Sequence, residues 1–241
     1  MGNVFRLQVD TERGFMQSSR GESTLHSEAC SGCTIAAHLQ EAQKLGNICG
    51  FFALALRYPE NGQREELQRI IEELSTLFAE FGVPVPQVPQ EKELQAEYVR
   101  LFVNNFQYVP GVPYASYHLD GAGELQGPSY QEILRLMSSS GLTMRSDLKE
   151  QEDHMALLFE FCFRMLQRFC TTGRGEETEM QSLAFLLQKA LPVVLDSVAE
   201  PVGSNARFGF YPRIVELAQA ILRDAGSIED VLSAAAQRGK T

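Results

Sequence analysis

Positive charge is scarce in this sequence. Its 21 Lys and Arg face 31 Asp and Glu, for a net charge of −10. That balance excludes nucleic acid as a main partner, because phosphate contacts need clustered cations. It suits a partner that carries basic residues. No uninterrupted apolar run reaches the ~20 residues a bilayer span needs, so stable membrane insertion is not expected. The N-terminus has no cationic stretch followed by an apolar one, so no secretory signal is read and a cytoplasmic location is expected. Alternating strands of convincing length are missing, as are a Gly-Lys-Ser/Thr phosphate loop and an internal repeat. Tryptophan is absent altogether.

Cysteine is also sparse, with five residues. Cys49, Cys162 and Cys170 lie in apolar helical patterns and read as reduced core residues. Cys30-Ser31-Gly32-Cys33 forms a C-x-x-C, but no second pair completes a four-thiolate zinc site. It reads as incidental ahead of a redox or metal role.

What is present is helical period. Residues 1–25 are polar and aperiodic and read as a flexible N-terminal extension. The remainder, 26–241, is long enough for one domain with a substantial core. Apolar residues recur at helical spacing over 35–58, with Pro59-Glu60-Asn61-Gly62 as the stop, and again over 63–81. Pro84, Pro86 and Pro89 make a stiff connection to a third helix over about 90–102. Ser129-x-x-Glu132 reads as a capping box that opens another helix after Pro128, one that stops near Gly141. Further helices are expected over 176–198, broken internally or at its start by Pro192, and over 207–225, with a short last one opened by Ser227.

Two stretches stand apart. From Met155 to Cys170 only Glu160, Arg164, Gln167 and Arg168 interrupt an apolar run. Such a helix belongs at the centre of a larger helical domain. The expected fold is therefore all-α, a single bundle of roughly eight helices around a buried central helix. Val103 to Gly127 is the opposite: rich in Pro, Gly, Tyr and Phe, without period, and longer than packed helices require. Asp153-His154 stands where the central helix is expected to meet solvent, a place where ionisable residues often act. Plainer readings exist for each candidate. Asp153 can be the N-cap of the central helix. Glu150 and Glu152 can be first-turn charges that favour the helix dipole. Tyr98, Leu101 and Phe102 share a face and read as core.

Taken in order, several segments carry a resemblance. They are Tyr98-Val99-Arg100-Leu101-Phe102, then Pro113-Tyr114-Ala115-Ser116-Tyr117, then Leu125-Gln126-Gly127-Pro128-Ser129 and Gly141-Leu142. Last comes Glu150-x-x-Asp153-His154 ahead of the apolar helix. This order resembles the TorD/DmsD, or NarJ-like, family of redox-enzyme maturation chaperones over about 35–225. The chain departs from that pattern at Gln151, where the family often has Pro, and at Val103, where Gly is common. It also lacks the Trp that members often carry.

The resemblance implies a cytoplasmic chaperone, not an enzyme. Its partners would be the catalytic subunit of a molybdenum-cofactor oxidoreductase and that subunit's twin-arginine leader peptide. It would bind the peptide, the apo core or both, assist cofactor insertion and prevent premature export. It implies no catalytic residue, no metal and no cofactor of its own, and a monomer or a domain-swapped dimer. The client-binding residues it implies are Asp153, His154, Glu150, Tyr114, Ser116, Tyr117, Phe102 and Tyr98. A leader peptide is an apolar helix-former preceded by Arg-Arg, so its receptor needs an apolar groove with acidic residues at one end. Phe106, Tyr108, Tyr114 and Tyr117 are the aromatic residues available beside Asp153. The alternative is an α-helical metal-dependent hydrolase using Asp153 and His154 with His26, His38 or His118. No His-Glu-x-x-His motif supports it.

Overall fold

The structure, a computed structural model, describes residues 28–104, 108–121, 123–142, 150–172 and 176–224, with side chains from 39 onward. The expected extension over 1–25, Phe106, His26 and the helix after Ser227 lie outside the described residues, as do the side chains of Cys30, Cys33 and His38. Ten α-helices follow one another among the described residues, with no strand. They are α1 (Glu28–Ala55), α2 (Gln63–Glu73), α3 (Ser75–Glu80), α4 (Glu91–Tyr98) and α5 (Ala115–Leu119). After these come α6 (Pro128–Ser139), α7 (Met155–Thr172), α8 (Glu177–Phe185), α9 (Leu191–Asn205) and α10 (Phe210–Arg223). The fold is all-α.

The central helix of the sequence reading is α7. Met155, Leu158, Phe159, Cys162, Met165, Leu166 and Phe169 are buried along it. Its main partner is α1, and two glycines explain how close they come. A Cβ on Gly46 would lie 3.3 Å from the Leu166 Cβ, and one on Gly50 would lie 3.3 Å from the Phe163 ring. Between them the Phe52 and Phe159 rings pack with centroids 5.0 Å apart. Cys49 and Cys162 are both buried there as free thiols.

Several elements differ from expectation for local reasons. The helix expected over 63–81 breaks at Leu74 into α2 and α3, with no Gly or Pro to announce it. The helix after Pro128 is not opened by a Ser129–Glu132 capping box. Asp120, from the end of α5, reaches across instead and accepts the Ser129 N–H at 3.1 Å and its hydroxyl at 2.5 Å. Glu132 pairs with Arg135. Pro192 does not break its helix. A π-helical turn over Leu186–Ala190 widens the backbone just before it, which makes room for a ring that would otherwise strike the preceding turn. Glu177–Asn205 thus runs continuously and by length and composition alone is apolar enough to cross a bilayer, although no uninterrupted apolar run within it reaches that length. Polar residues interrupt its apolar run without lowering the average enough. Half of its most apolar stretch is buried against the rest of the fold, as in a core helix.

The described part of the 103–127 connection is also more ordered than its sequence pattern predicts. It contains α5, and Pro110, Gly111, Pro113, Ala115 and Ser116 are buried. Its start is fixed by a second π-helical turn, Val99–Val103, which extends α4. Glu97 anchors that turn. It is 2% exposed, pairs with Arg100 at 2.6 Å and accepts the backbone N–H of Arg207 at 2.6 Å. Arg100 in turn donates to the Asn205 carbonyl. Glu97 and Arg100 thereby lock α4 to the α9–α10 connection.

Candidate functional site

The run Glu150-Gln151-Glu152-Asp153-His154 comes just before α7 and beside α5. The two segments meet as a single antiparallel bridge between Tyr114 and His154. The Ala115 N–H donates to the Asp153 carbonyl at 2.9 Å, and the Met155 N–H to the Pro113 carbonyl at 2.8 Å. The bridge brings two helix starts side by side, and each is capped in an unexpected way. Asp153 does not cap α7. Its Oδ2 accepts the Ser116 N–H at 2.9 Å and the Ser116 hydroxyl at 2.7 Å, so it caps α5 instead. His154 caps α7, with its Nδ1 accepting the Ala156 N–H at 3.1 Å.

This assigns the tautomer. A backbone N–H only donates, so Nδ1 is unprotonated and the proton sits on Nε2. From there it reaches the Tyr98 hydroxyl at 3.1 Å. Burial holds the imidazole neutral, with its pKa lowered to about 4 against the opposing pull of Glu150. Burial, reinforced by Glu150, also pushes the Tyr98 hydroxyl well above the usual phenol range.

The sequence reading put Asp153 and His154 at a solvent-facing mouth, and the structure does not. They are 0% and 1% exposed. The reason is α5, which covers them and which the aperiodic sequence of 103–127 did not announce. Even so, the Asp153 Oδ1 is buried without a hydrogen-bond partner among the described residues. Orphaned buried carboxylate oxygens are uncommon, and each calls for an explanation.

The rest of the run is tied outward. The Tyr114 hydroxyl donates to Glu150 at 2.9 Å, and burial, reinforced by that bond, raises its pKa well above the phenol range. The Gln126 side-chain amide donates to Gln151 at 3.2 Å. The Tyr130 hydroxyl donates to Glu152 at 2.6 Å, and that bond pushes its pKa up to about 12.

Of the expected site residues, the structure thus brings together Tyr98, Tyr114, Ser116, Glu150, Asp153 and His154. Phe102 lies behind them, 3% exposed, with its ring 5.2 Å from Tyr98 and 5.3 Å from Tyr211. It and Tyr98 back the site rather than offer surface. Tyr117 turns away to stack edgewise on His118. Gln126, Tyr130 and Glu97 were missed. Glu97 had a signal: with Leu94, Tyr98 and Leu101 it occupies an i, i+3, i+4, i+7 stripe where a charge is out of place.

A hydrolytic metal centre does not fit the described residues. Among the described residues no group of three or more His, Cys, Asp or Glu could hold a metal ion. Both ring nitrogens of His154 are already engaged, and His118 Nε2 contacts the Val112 carbonyl at 2.7 Å.

Comparison with known proteins converges on the same region. The family model described as nitrate reductase delta subunit matches residues 60–192, more than half of the chain and all of the site. The chain is similar to the chaperone protein TorD of Vibrio parahaemolyticus serotype O3:K6, with 29% identity over 130 residues, 52% of this chain and 59% of that one. It is 28% identical over 132 residues to the chaperone protein TorD of Actinobacillus succinogenes, covering 55% and 63%. For the protein of that name in Vibrio cholerae serotype O1 (strain M66-2) the identity is 26% over 169 residues, covering 68% and 71%. The chain spans about three fifths of the length of the first two relatives.

Proposed function

The chain belongs to the nitrate reductase delta subunit family, which takes in the TorD/DmsD chaperones, and from that membership we propose that it is a chaperone for maturation of a molybdenum-cofactor oxidoreductase. It binds the twin-arginine leader peptide of that enzyme's catalytic subunit, the apo core or both. It holds the client in the cytoplasm until cofactor is inserted and performs no turnover of its own.

The observation that carries the reading is the Glu150–His154 run. Three carboxylates fall within four residues, Glu150 and Glu152 half-buried and held by tyrosines and Asp153 buried beneath α5, with an aromatic core behind them. A guanidinium pair needs carboxylates, and the apolar helix that follows it needs aromatic and aliphatic surface. The overall charge of −10 draws a basic leader toward the protein.

Calorimetric titration with a synthetic peptide that has an Arg-Arg pair ahead of an apolar helix-forming segment tests this. The expected result is saturable binding in the micromolar range or tighter, about −8 kcal/mol or beyond. Replacing both arginines by glutamine should weaken it at least tenfold. No heat at low ionic strength, or equal affinity for the glutamine peptide, would remove the basis for the proposal.

A further inference from the structure

The Glu150–His154 run is fastened to its surroundings residue by residue, and the fastening is graded. The inner bonds, Asp153 to Ser116 and His154 to Tyr98, are fully buried. The outer ones are not: Tyr130 to Glu152 is half-buried, and Gln126 to Gln151 faces solvent. Gln126 also joins the two layers, because its backbone N–H donates to the Ser116 hydroxyl at 3.2 Å. It does so with a φ of 62°, the one non-glycine residue in the left-handed region among the described residues. Glutamine has no special ease there, so the closed arrangement holds local strain.

We infer that Gln126, Tyr130 and Glu152 form a latch, one that must open before the buried Asp153 carboxylate can meet a guanidinium-bearing peptide. This rests on the chaperone reading and adds a gate to it. With the latch closed, Asp153 has no exposed surface for any ligand to touch. Its Oδ1 lacks a donor among the described residues, so the closed state leaves an acceptor for an incoming N–H to satisfy.

The outer carboxylates supply the key. Glu150 and Glu152 each hold one phenol hydroxyl. A guanidinium offers a charged, two-pronged donor that a phenol cannot match. A peptide arginine displaces Tyr130 from Glu152, the Gln126 strain is released, and α5 lifts away from Asp153. A neutral apolar peptide has no means of starting that sequence. Tyr130 and Gln126 are then gating residues, opposing the peptide rather than binding it.

The test uses substitutions that remove contacts and should improve binding. Tyr130→Phe deletes the hydroxyl on Glu152, and Gln126→Ala deletes the amide on Gln151. Each should tighten the dissociation constant for the synthetic Arg-Arg peptide by about fivefold, the value of one ordinary hydrogen bond. Without peptide, exchange of the Ser116 amide proton should speed up by a similar factor, while amides in the α1–α7 pair keep their rates. An unchanged Ser116 amide overturns the latch. So does weaker binding in either variant, which would make these residues contacts instead of a gate. Exchange is read without ligand, so a wild-type chain that ignored the peptide would refute the chaperone reading separately.

Discussion

Replacing Glu97 with alanine lowers the unfolding free energy by about 3–5 kcal/mol, the usual cost of removing one partner from a buried ion pair. The structure gives three reasons for so large an effect. Glu97 is 2% exposed, so the Arg100 guanidinium loses a partner it cannot fully exchange for water. The backbone N–H groups of Arg207 and Phe208, at 2.6 and 3.3 Å, lose their acceptor. The α4 turn then comes free of the α9–α10 connection, which is the support behind Tyr98 and Phe102. Glu97→Gln separates these terms. It keeps an acceptor for Arg207 while dropping the charge, and should cost roughly half as much. Urea denaturation midpoints of the three proteins measure the difference. An alanine cost under about 1 kcal/mol would show that the pair behaves as an exposed one.

Acid should destabilise the protein through His154 in a defined window. The buried imidazole stays neutral down to about pH 4, while in the unfolded chain it takes up a proton near its ordinary 6.5. The unfolded state therefore binds the extra proton first. The stabilisation is fully present above about pH 6.5, is lost as pH falls toward about 4, and changes no further below that. The loss amounts to about 3 kcal/mol. His154→Asn isolates it, since asparagine can still cap Ala156 but does not titrate. Between about pH 7 and about pH 4.5 the wild type should lose more stability than the variant, on top of the carboxylate titrations they share. Parallel pH profiles would mean that His154 is as accessible to protons in the folded protein as in the unfolded one.

Both expectations depend on groups whose roles differed in legibility. The central helix was readable because twelve apolar residues in sixteen leave only a narrow solvated stripe, Glu160, Arg164, Gln167 and Arg168. Most other helices were readable from their period, and their ends from Pro and Gly. The caps were not. Asp153 looked like the cap of its own helix, yet it caps α5 from 37 residues away. Asp120 does the same for α6. A cap that crosses between segments leaves no local pattern, because the acceptor and the free N–H groups meet only when the chain has folded. The burial of Asp153 and His154 was hidden for the same reason. It depends on α5, five residues long and too short for a helical period to register. Tyr130 on Glu152 and Gln126 on Gln151 left no signal in the sequence, because each pair meets only in the folded chain.

The central claim is that a twin-arginine leader docks at the Glu150–His154 run. A synthetic leader with a photoreactive benzophenone beside its arginine pair tests it directly, with the cross-linked residues located by mass spectrometry. Docking there gives cross-links to Glu150, Glu152 and Asp153 and to the facing Tyr114 and Ser116, suppressed by excess unlabelled peptide. Competed cross-links confined elsewhere, such as the connection around Pro84 and Pro86, would contradict it.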